Sequence, residues 1–106
     1  MPTKELAGIP VEVDEEGFLA DVQAWSEPIA EALAREVLGS EALTEDHWRV
    51  IRFMREQYLE LGVAPSLRTL GKELGMKSKR LYELFPDSPA KDSARIAGIP
   101  KPEACI

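Results

Sequence analysis

The segment from Leu43 to Gly62, LTEDHWRVIRFMREQYLELG, constrains the fold of this chain more than any other. Thr44 stands where an N-cap is needed, acidic residues follow in the first turn, and Gly62 stands where the helix should end. The apolar stripe of this segment comprises Trp48, Ile51, Tyr58 and Leu61, and it is widened by Val50, Phe53 and Met54. So broad an apolar surface predicts a central helix that packs on more than one side.

Shorter helices are predicted on both sides of this segment. Residues 26–39 form one helix, with Ser26 as the N-cap and a glycine at the end. Residues 64–86 predict two short helices joined at Gly75, with Ser78 capping the second, a pattern that resembles a helix-turn-helix. A further turn or two is predicted to begin near Pro89.

The N-terminal residues predict a β-hairpin. Ile9, Val11 and Val13 alternate with Pro10 and Glu12, which is the period-2 pattern of a half-buried strand. Two short strands are not stable alone, so we expect the hairpin to lie on the helices.

Composition narrows the class of protein. The chain has 106 residues, 44% of them hydrophobic and 30% charged, which is typical of one small globular domain. No apolar run approaches the roughly 20 residues that span a bilayer, and the N-terminus lacks the apolar stretch of a signal peptide, so we expect a cytoplasmic protein without a membrane partner. One cysteine excludes an internal disulfide, and with a single histidine it predicts that the protein carries no metal and no cofactor.

The charge distribution bears on nucleic-acid binding. The net charge is −6, but residues 1–64 carry −9 and residues 65–106 carry +3. Lys79, Arg80 and Tyr82 lie on the second short helix, where a DNA-reading helix would present them. That helix is short and the whole chain is acidic, so direct DNA binding is a minor alternative.

His47 is interpreted as a capping or packing residue, and the sequence contains no catalytic triad or phosphate-binding loop.

The C-terminus, IAGIPKPEACI, places the single cysteine, Cys105, next to the last residue. Two prolines precede it, which predicts an extended and semi-stiff arm. An exposed thiol on such an arm suits the transfer of a sulfur atom inside a partner protein, and Lys101 and Arg95 are the nearby cations that could support its thiolate. The alternative is an incidental cysteine on a frayed tail.

Three quoted segments resemble the DsrC/TusE sulfur-relay family: VDEEGFLADVQAWSEPIAEALA, LTEDHWRVIRFMREQYLELGVAPSLRTL and RLYELFPDSPAKDSARIAGIPKPEACI. Together with the helix and strand patterns, the resemblance implies a mainly α fold. We expect a small orthogonal helical bundle with an N-terminal β-hairpin, a helix-turn-helix-like element and an extended C-terminal arm. Residues 1–97 would form the single domain, and residues 98–106 the mobile arm. The resemblance implies that Cys105 is the catalytic residue of a sulfurtransferase in the broad sense, a persulfide carrier that depends on partner proteins.

The chain departs from DsrC-type members of the family in two places. Those members have a second cysteine eleven residues before the penultimate one, and here that position is Ala94. The chain therefore looks like the TusE type, which implies relay partners: a donor sulfurtransferase complex and a tRNA-thiolating enzyme that makes 2-thiouridine. The stretch between the two short helices, residues 75–79, is also shorter than in the relatives. A DsrC-like role with sulfite reductase or in sulfur oxidation stays open.

Overall fold

The architecture is mainly helical in the computed structural model, which describes residues 2–39 and 43–102. The hairpin strands β1 and β2 precede a short 3-10 helix and the helices α1 to α5. The elements are β1 (Thr3–Leu6), β2 (Ile9–Glu12), the 3-10 helix (Val22–Ala24), α1 (Glu27–Leu38), α2 (Glu45–Leu61), α3 (Leu67–Leu74), α4 (Ser78–Leu84) and α5 (Pro89–Ile96). The predicted fold class is confirmed.

The hairpin is antiparallel and lies against the helices through its first strand. Thr3 pairs with Glu12 and Leu6 with Ile9, and β1 contacts α1. Leu6 and Val11 are buried, whereas Ile9, the first residue of β2 after the turn, is 46% exposed. The prediction of a hairpin is confirmed. The alternation of apolar and polar residues also predicted that Ile9 lies on the buried face of the strand, but Ile9 lies at the start of β2, outside the core.

The helix ends follow the predicted capping residues with one exception. The side chains of Ser26 and Thr44 accept hydrogen bonds from the backbone N–H groups of Ile29 and His47, respectively. The glycines that follow α1, α2 and α3 all adopt left-handed backbone conformations that end these helices. The predicted cap at Ser78 is wrong: Ser78 is the first helical residue of α4, and the N-cap position is Lys77, whose side chain makes no capping bond.

The core forms where α5 packs against both α1 and α2. The largest fully buried side chains in the described residues include Phe18, Ile29, Leu33, Ile51, Met54, Phe85 and Ile96. As predicted, α2 packs against more than one element, namely α5 and α3, but the helix that contacts all four others is α5 and not α2. Leu61, at the C-terminal end of α2, is 62% exposed. The buried face of α5 includes Ala90, Ala94 and Ile96, so this short helix contributes more to the core than its sequence suggested.

The chain beyond α5 begins inside the core. Gly98 is buried and Ile99 is fully buried, Pro100 and Lys101 are exposed, and Pro102 is buried again. The proposed division at residue 98 thus assigns a core residue, Ile99, to the arm. The mobility of residues 98–106 stays a prediction.

Candidate functional site

The candidate site is organised around the last described residues of the C-terminal arm. Cys105, the predicted sulfur-carrying residue, lies outside the described residues. The structure does describe residues 96–102, which we call the arm root, and the side chains that contact it. These contacts determine where the chain leaves the body of the protein on its way to Cys105.

At the start of the arm root, two backbone hydrogen bonds cap the C-terminal end of α5. The backbone N–H of Ile99 donates to the carbonyl oxygen of Ala94 at 3.1 Å, and that of Gly98 donates to the carbonyl of Arg95 at 3.2 Å. Gly98 has φ +71°, so these bonds form the glycine-dependent Schellman ending of α5. A Cβ on Gly98 would lie 2.4 Å from Cδ1 of Trp25. The backbone at this position therefore packs directly against the indole ring.

Two side chains from other elements hold the carbonyl groups at the end of α5. The indole Nε1 of Trp25 donates to the carbonyl of Ile96 at 2.8 Å, and Nη1 of Arg55 donates to the carbonyl of Ala97 at 2.9 Å. The Arg55 guanidinium carbon also lies 4.3 Å from the centroid of the Trp25 ring, within cation–π range. We call Trp25 and Arg55 the arm clamp, because together they fix the direction in which the arm root leaves α5.

Sequence reasoning missed the arm clamp. Its partners are separated by 71 residues for Trp25 and 42 for Arg55, so no local spacing could have revealed it. Partial burial lowers the pKa of Arg55 from its usual value, but an arginine side chain stays protonated in proteins. The clamp is therefore cationic where it meets the arm root.

Lys101, one of the predicted supporting cations, is engaged with the hairpin side of the molecule. Its Nζ lies 3.2 Å from a carboxylate oxygen of Glu16, which also pairs with Lys91 at 3.4 Å. The hydrogen bond from Lys101 is the main reason that the pKa of Glu16 lies below its usual range. The role of Lys101 beside Cys105 stays a prediction, and Glu16 would compete with the thiolate for it.

Arg95, the second predicted supporting cation, also has an acidic partner. Its Nη2 donates to Glu36 at 3.0 Å, and Glu36 binds Lys4 as well. The guanidinium lies against the backbone of Gly17, where a Cβ would approach it to 2.6 Å. Its support of Cys105 is likewise still a prediction.

The helix-turn-helix-like element does not present its predicted DNA-contacting residues equally. All three residues are exposed, but Arg80 pairs with Asp46 at 2.8 Å and with Glu83 at 3.3 Å, whereas Lys79 makes no ion pair with any described residue. The salt bridges raise the pKa of Arg80 and lower that of Asp46, chiefly through their shared hydrogen bond. The guanidinium best suited to bind a phosphate is thus already occupied by carboxylates.

His47 is a structural residue, in agreement with its predicted capping role. Its Nδ1 lies 3.1 Å from the backbone N–H of Thr44, which donates to it, and its Nε2 lies 2.9 Å from the carbonyl oxygen of Leu84. A carbonyl oxygen can only accept, so Nε2 carries the proton and Nδ1 is the acceptor. Both ring nitrogens are occupied, which leaves His47 without a free position for acid–base chemistry.

Within residues 2–39 and 43–102, no group of three or more His, Cys, Asp or Glu side chains is arranged to hold a metal ion. No helix in these same ranges has the length and apolarity needed to cross a membrane.

Comparison with known proteins finds similarity over nearly the whole chain. The family model described as "DsrC like protein" matches residues 5–106. The chain is 43% identical over 109 residues to the sulfurtransferase TusE of Pectobacterium atrosepticum, covering 96% of this chain and 98% of that protein. The solution structure of Allochromatium vinosum DsrC has a TM-score of 0.83 at 43% identity, covering 98% of this chain and 97% of that one. The oxidised γ-subunit of dissimilatory sulfite reductase (DsrC) from Archaeoglobus fulgidus has a TM-score of 0.85 at 41% identity, covering 99% and 100%.

Proposed function

The chain belongs to the DsrC-like protein family, and from this membership we propose that it is a sulfur carrier that holds a persulfide on Cys105. One observation carries the proposal: the family match extends through residue 106 and so includes the only cysteine of the chain. The name sulfurtransferase, which its relatives bear, supports a role in sulfur transfer.

The proposed chemistry is a thiolate exchange. The Cys105 thiolate attacks the terminal sulfur of a donor persulfide, the donor's sulfur–sulfur bond breaks, and its electron pair leaves on the donor thiolate. The new bond makes Cys105 a persulfide, and the proton on the transferred sulfur stays with it. A second attack, by a thiolate of the acceptor on the same terminal sulfur, passes the sulfur on and regenerates the Cys105 thiolate. No cofactor is needed for either step.

The arm root supports this role by directing the carrier residue. Cys105 is only three positions beyond Pro102, so a fully extended chain carries the thiol about 10 Å from the last described residue. Pro102 is buried and Ile99 lies in the core. The segment that must be ordered when it enters a partner is therefore short, which keeps the entropic cost of docking low.

The single cysteine favours one pathway over the other. Ala94 is fully buried on α5. It occupies the position at which DsrC-type members of the family have a second cysteine. Without that thiol the arm cannot close an internal disulfide. We therefore propose the TusE-type relay: a donor sulfurtransferase complex loads Cys105, and a tRNA-thiolating enzyme receives the sulfur for 2-thiouridine synthesis in the cytoplasm.

A second candidate is a DsrC-like role with sulfite reductase, favoured by the similarity to the Archaeoglobus fulgidus γ-subunit. It predicts a stable complex with that enzyme, whereas the TusE-type role predicts sulfur transfer to the tRNA-thiolating enzyme. Incubating the loaded protein with each acceptor and following the added sulfur by intact mass spectrometry distinguishes the two.

The central test is the loading of Cys105. Incubation of the protein with a persulfide donor should add one sulfur, about 32 Da, by thiolate exchange. Cys105→Ser should abolish the addition and leave the helical circular-dichroism spectrum and the unfolding midpoint unchanged. Equal sulfur loading of wild type and Cys105→Ser, or no loading of wild type by any donor, would contradict the proposal.

A further inference from the structure

The cations of this protein divide sharply into paired and unpaired groups. All thirteen Lys and Arg residues lie within the described ranges. Those outside α3 and the start of α4 bind carboxylates or carbonyls, as in the pairs Arg52–Glu27 and Lys4–Glu36, and Arg35 has a partner too. Within the ranges that the structure describes, four cations make no ion pair or hydrogen bond: Arg68, Lys72, Lys77 and Lys79.

These four residues, which we call the α3–α4 cations, all lie within one stretch of the helix-turn-helix-like element. Arg68 and Lys72 are four residues apart on α3, so they lie on one face of that helix. Lys77 and Lys79 lie at the start of α4, and all four are exposed. Glu73 is the only acidic residue between Ser66 and Arg80. An otherwise acidic molecule thus presents uncompensated positive charge from one helix pair.

We propose that the α3–α4 cations form a docking surface for an acidic surface on a partner protein of the sulfur relay. Unpaired cations on a protein of net charge −6 create a potential that attracts and orients an acidic partner before contact. Exposed Tyr82 on α4 adds an aromatic residue of the type that anchors protein interfaces. The assignment of the partner to the relay rests on the proposed function.

Three observations favour a protein over a nucleic acid as the partner that binds this surface. Three of the four α3–α4 cations are lysines, and the neighbouring Arg80, whose planar group suits phosphate, is held by Asp46 and Glu83. Glu73 stands among the cations and would repel a phosphate backbone, whereas a partner protein can offer it a basic residue. The acidic remainder of the chain further opposes a long polyanion.

The test measures docking separately from sulfur chemistry. Cys105→Ser protein, which cannot carry sulfur, is titrated with the purified donor complex, with the tRNA-thiolating enzyme and with unmodified tRNA, and association and dissociation rates are recorded from 50 to 300 mM salt. Lys72→Gln with Lys79→Gln removes two unpaired cations. The matched control, Lys4→Gln with Arg52→Gln, removes two paired cations and gives the same net charge.

The expected result is that one relay protein binds with an association rate that falls steeply with salt. The Lys72/Lys79 variant should lower that rate roughly five- to tenfold at low salt with little change in dissociation, while the matched control stays within about twofold. Equal effects of the two variants, tighter binding of tRNA than of either protein, or no binding of either protein would overturn the proposal. A parallel loading assay on wild type reports on the sulfur chemistry, so a failure of the proposed function is seen separately.

Discussion

Gly98 shows how one residue can determine the path of the C-terminal arm. Its left-handed backbone ends α5, and its missing side chain lets the backbone touch Trp25. The same indole donates to the carbonyl of Ile96, and Arg55 donates to the carbonyl of Ala97. Gly98 is thus packed against Trp25 and Leu19, while Arg55 holds the preceding carbonyl, and together these contacts set the direction in which the arm leaves the body.

A substitution at Gly98 should cost much more than one at a similar but uncrowded glycine. Gly98→Ala combines left-handed strain with overlap against Trp25 and Leu19, so we expect a loss of roughly 2–4 kcal/mol in the free energy of unfolding. Gly39→Ala, with φ +76° and no atom within 4 Å of the added Cβ, should lose only about 1 kcal/mol. Urea denaturation measures the free energy of unfolding of both variants. Equal losses would mean that Trp25 and Leu19 can move to accommodate the added methyl group, so that the packing at Gly98 contributes little.

The helices are joined through their ends as well as their faces. His47 closes the capping box of α2 by accepting from the backbone of Thr44, and it reaches across to the carbonyl of Leu84 at the end of α4. Its ring also meets Phe85 edge-on, with ring centroids 5.3 Å apart. One side chain therefore couples the start of α2 to the end of the helix-turn-helix-like element.

This coupling predicts an ordered series of stabilities. His47→Ala removes the cap partner and leaves the Leu84 carbonyl without its donor, so it should lose about 2 kcal/mol of unfolding free energy. His47→Gln can still accept from the Thr44 backbone as a capping-box residue, so it should recover part of the loss. Urea midpoints of the three proteins provide the measurement. A glutamine variant no more stable than the alanine variant would show that the cap contributes nothing.

In the molecule as a whole, the α3–α4 cations and the C-terminal arm have complementary proposed roles in binding a partner protein of the relay. The α3–α4 cations would guide the partner, and the arm would then place Cys105 in its active site. The two functions reside in different elements, so they should be separable by mutation: the cations act on association, and the arm acts after docking.

Pro100 tests the contribution of the arm, because it is exposed and its replacement removes no core packing. Pro100→Gly loosens the arm root between the buried residues Ile99 and Pro102, so docking must order a larger set of conformations, an effect of up to about 1 kcal/mol. We expect sulfur transfer to the acceptor protein to slow about fivefold, while loading by a small persulfide donor and the unfolding midpoint stay unchanged. Transfer at the wild-type rate would mean that the arm acts only as a tether. Pro102→Gly is less informative, since Pro102 is buried.

The sequence by itself determined the local features of this protein. Helix starts at Ser26 and Thr44 and helix ends at glycines depend on residues a few positions apart, so capping chemistry predicted them correctly. The motifs that carry the family resemblance, including the single Cys105, are equally local. Ser78 failed as a cap because a serine within a turn can stand one position inside the helix as well as before it, and the sequence pattern does not distinguish the two.

Only the tertiary structure decided which distant residues meet. Trp25 and Arg55 reach the end of α5 across 71 and 42 residues, Ile99 fills the core, and Arg80 is occupied by Asp46 while the α3–α4 cations have no partners. Hydrogen bonds and ion pairs of this kind depend on the packing of whole helices. The charges counted along the sequence showed that residues 65–106 are net positive. Which of these cations are paired, and hence which surface is left for a partner, follows from the fold.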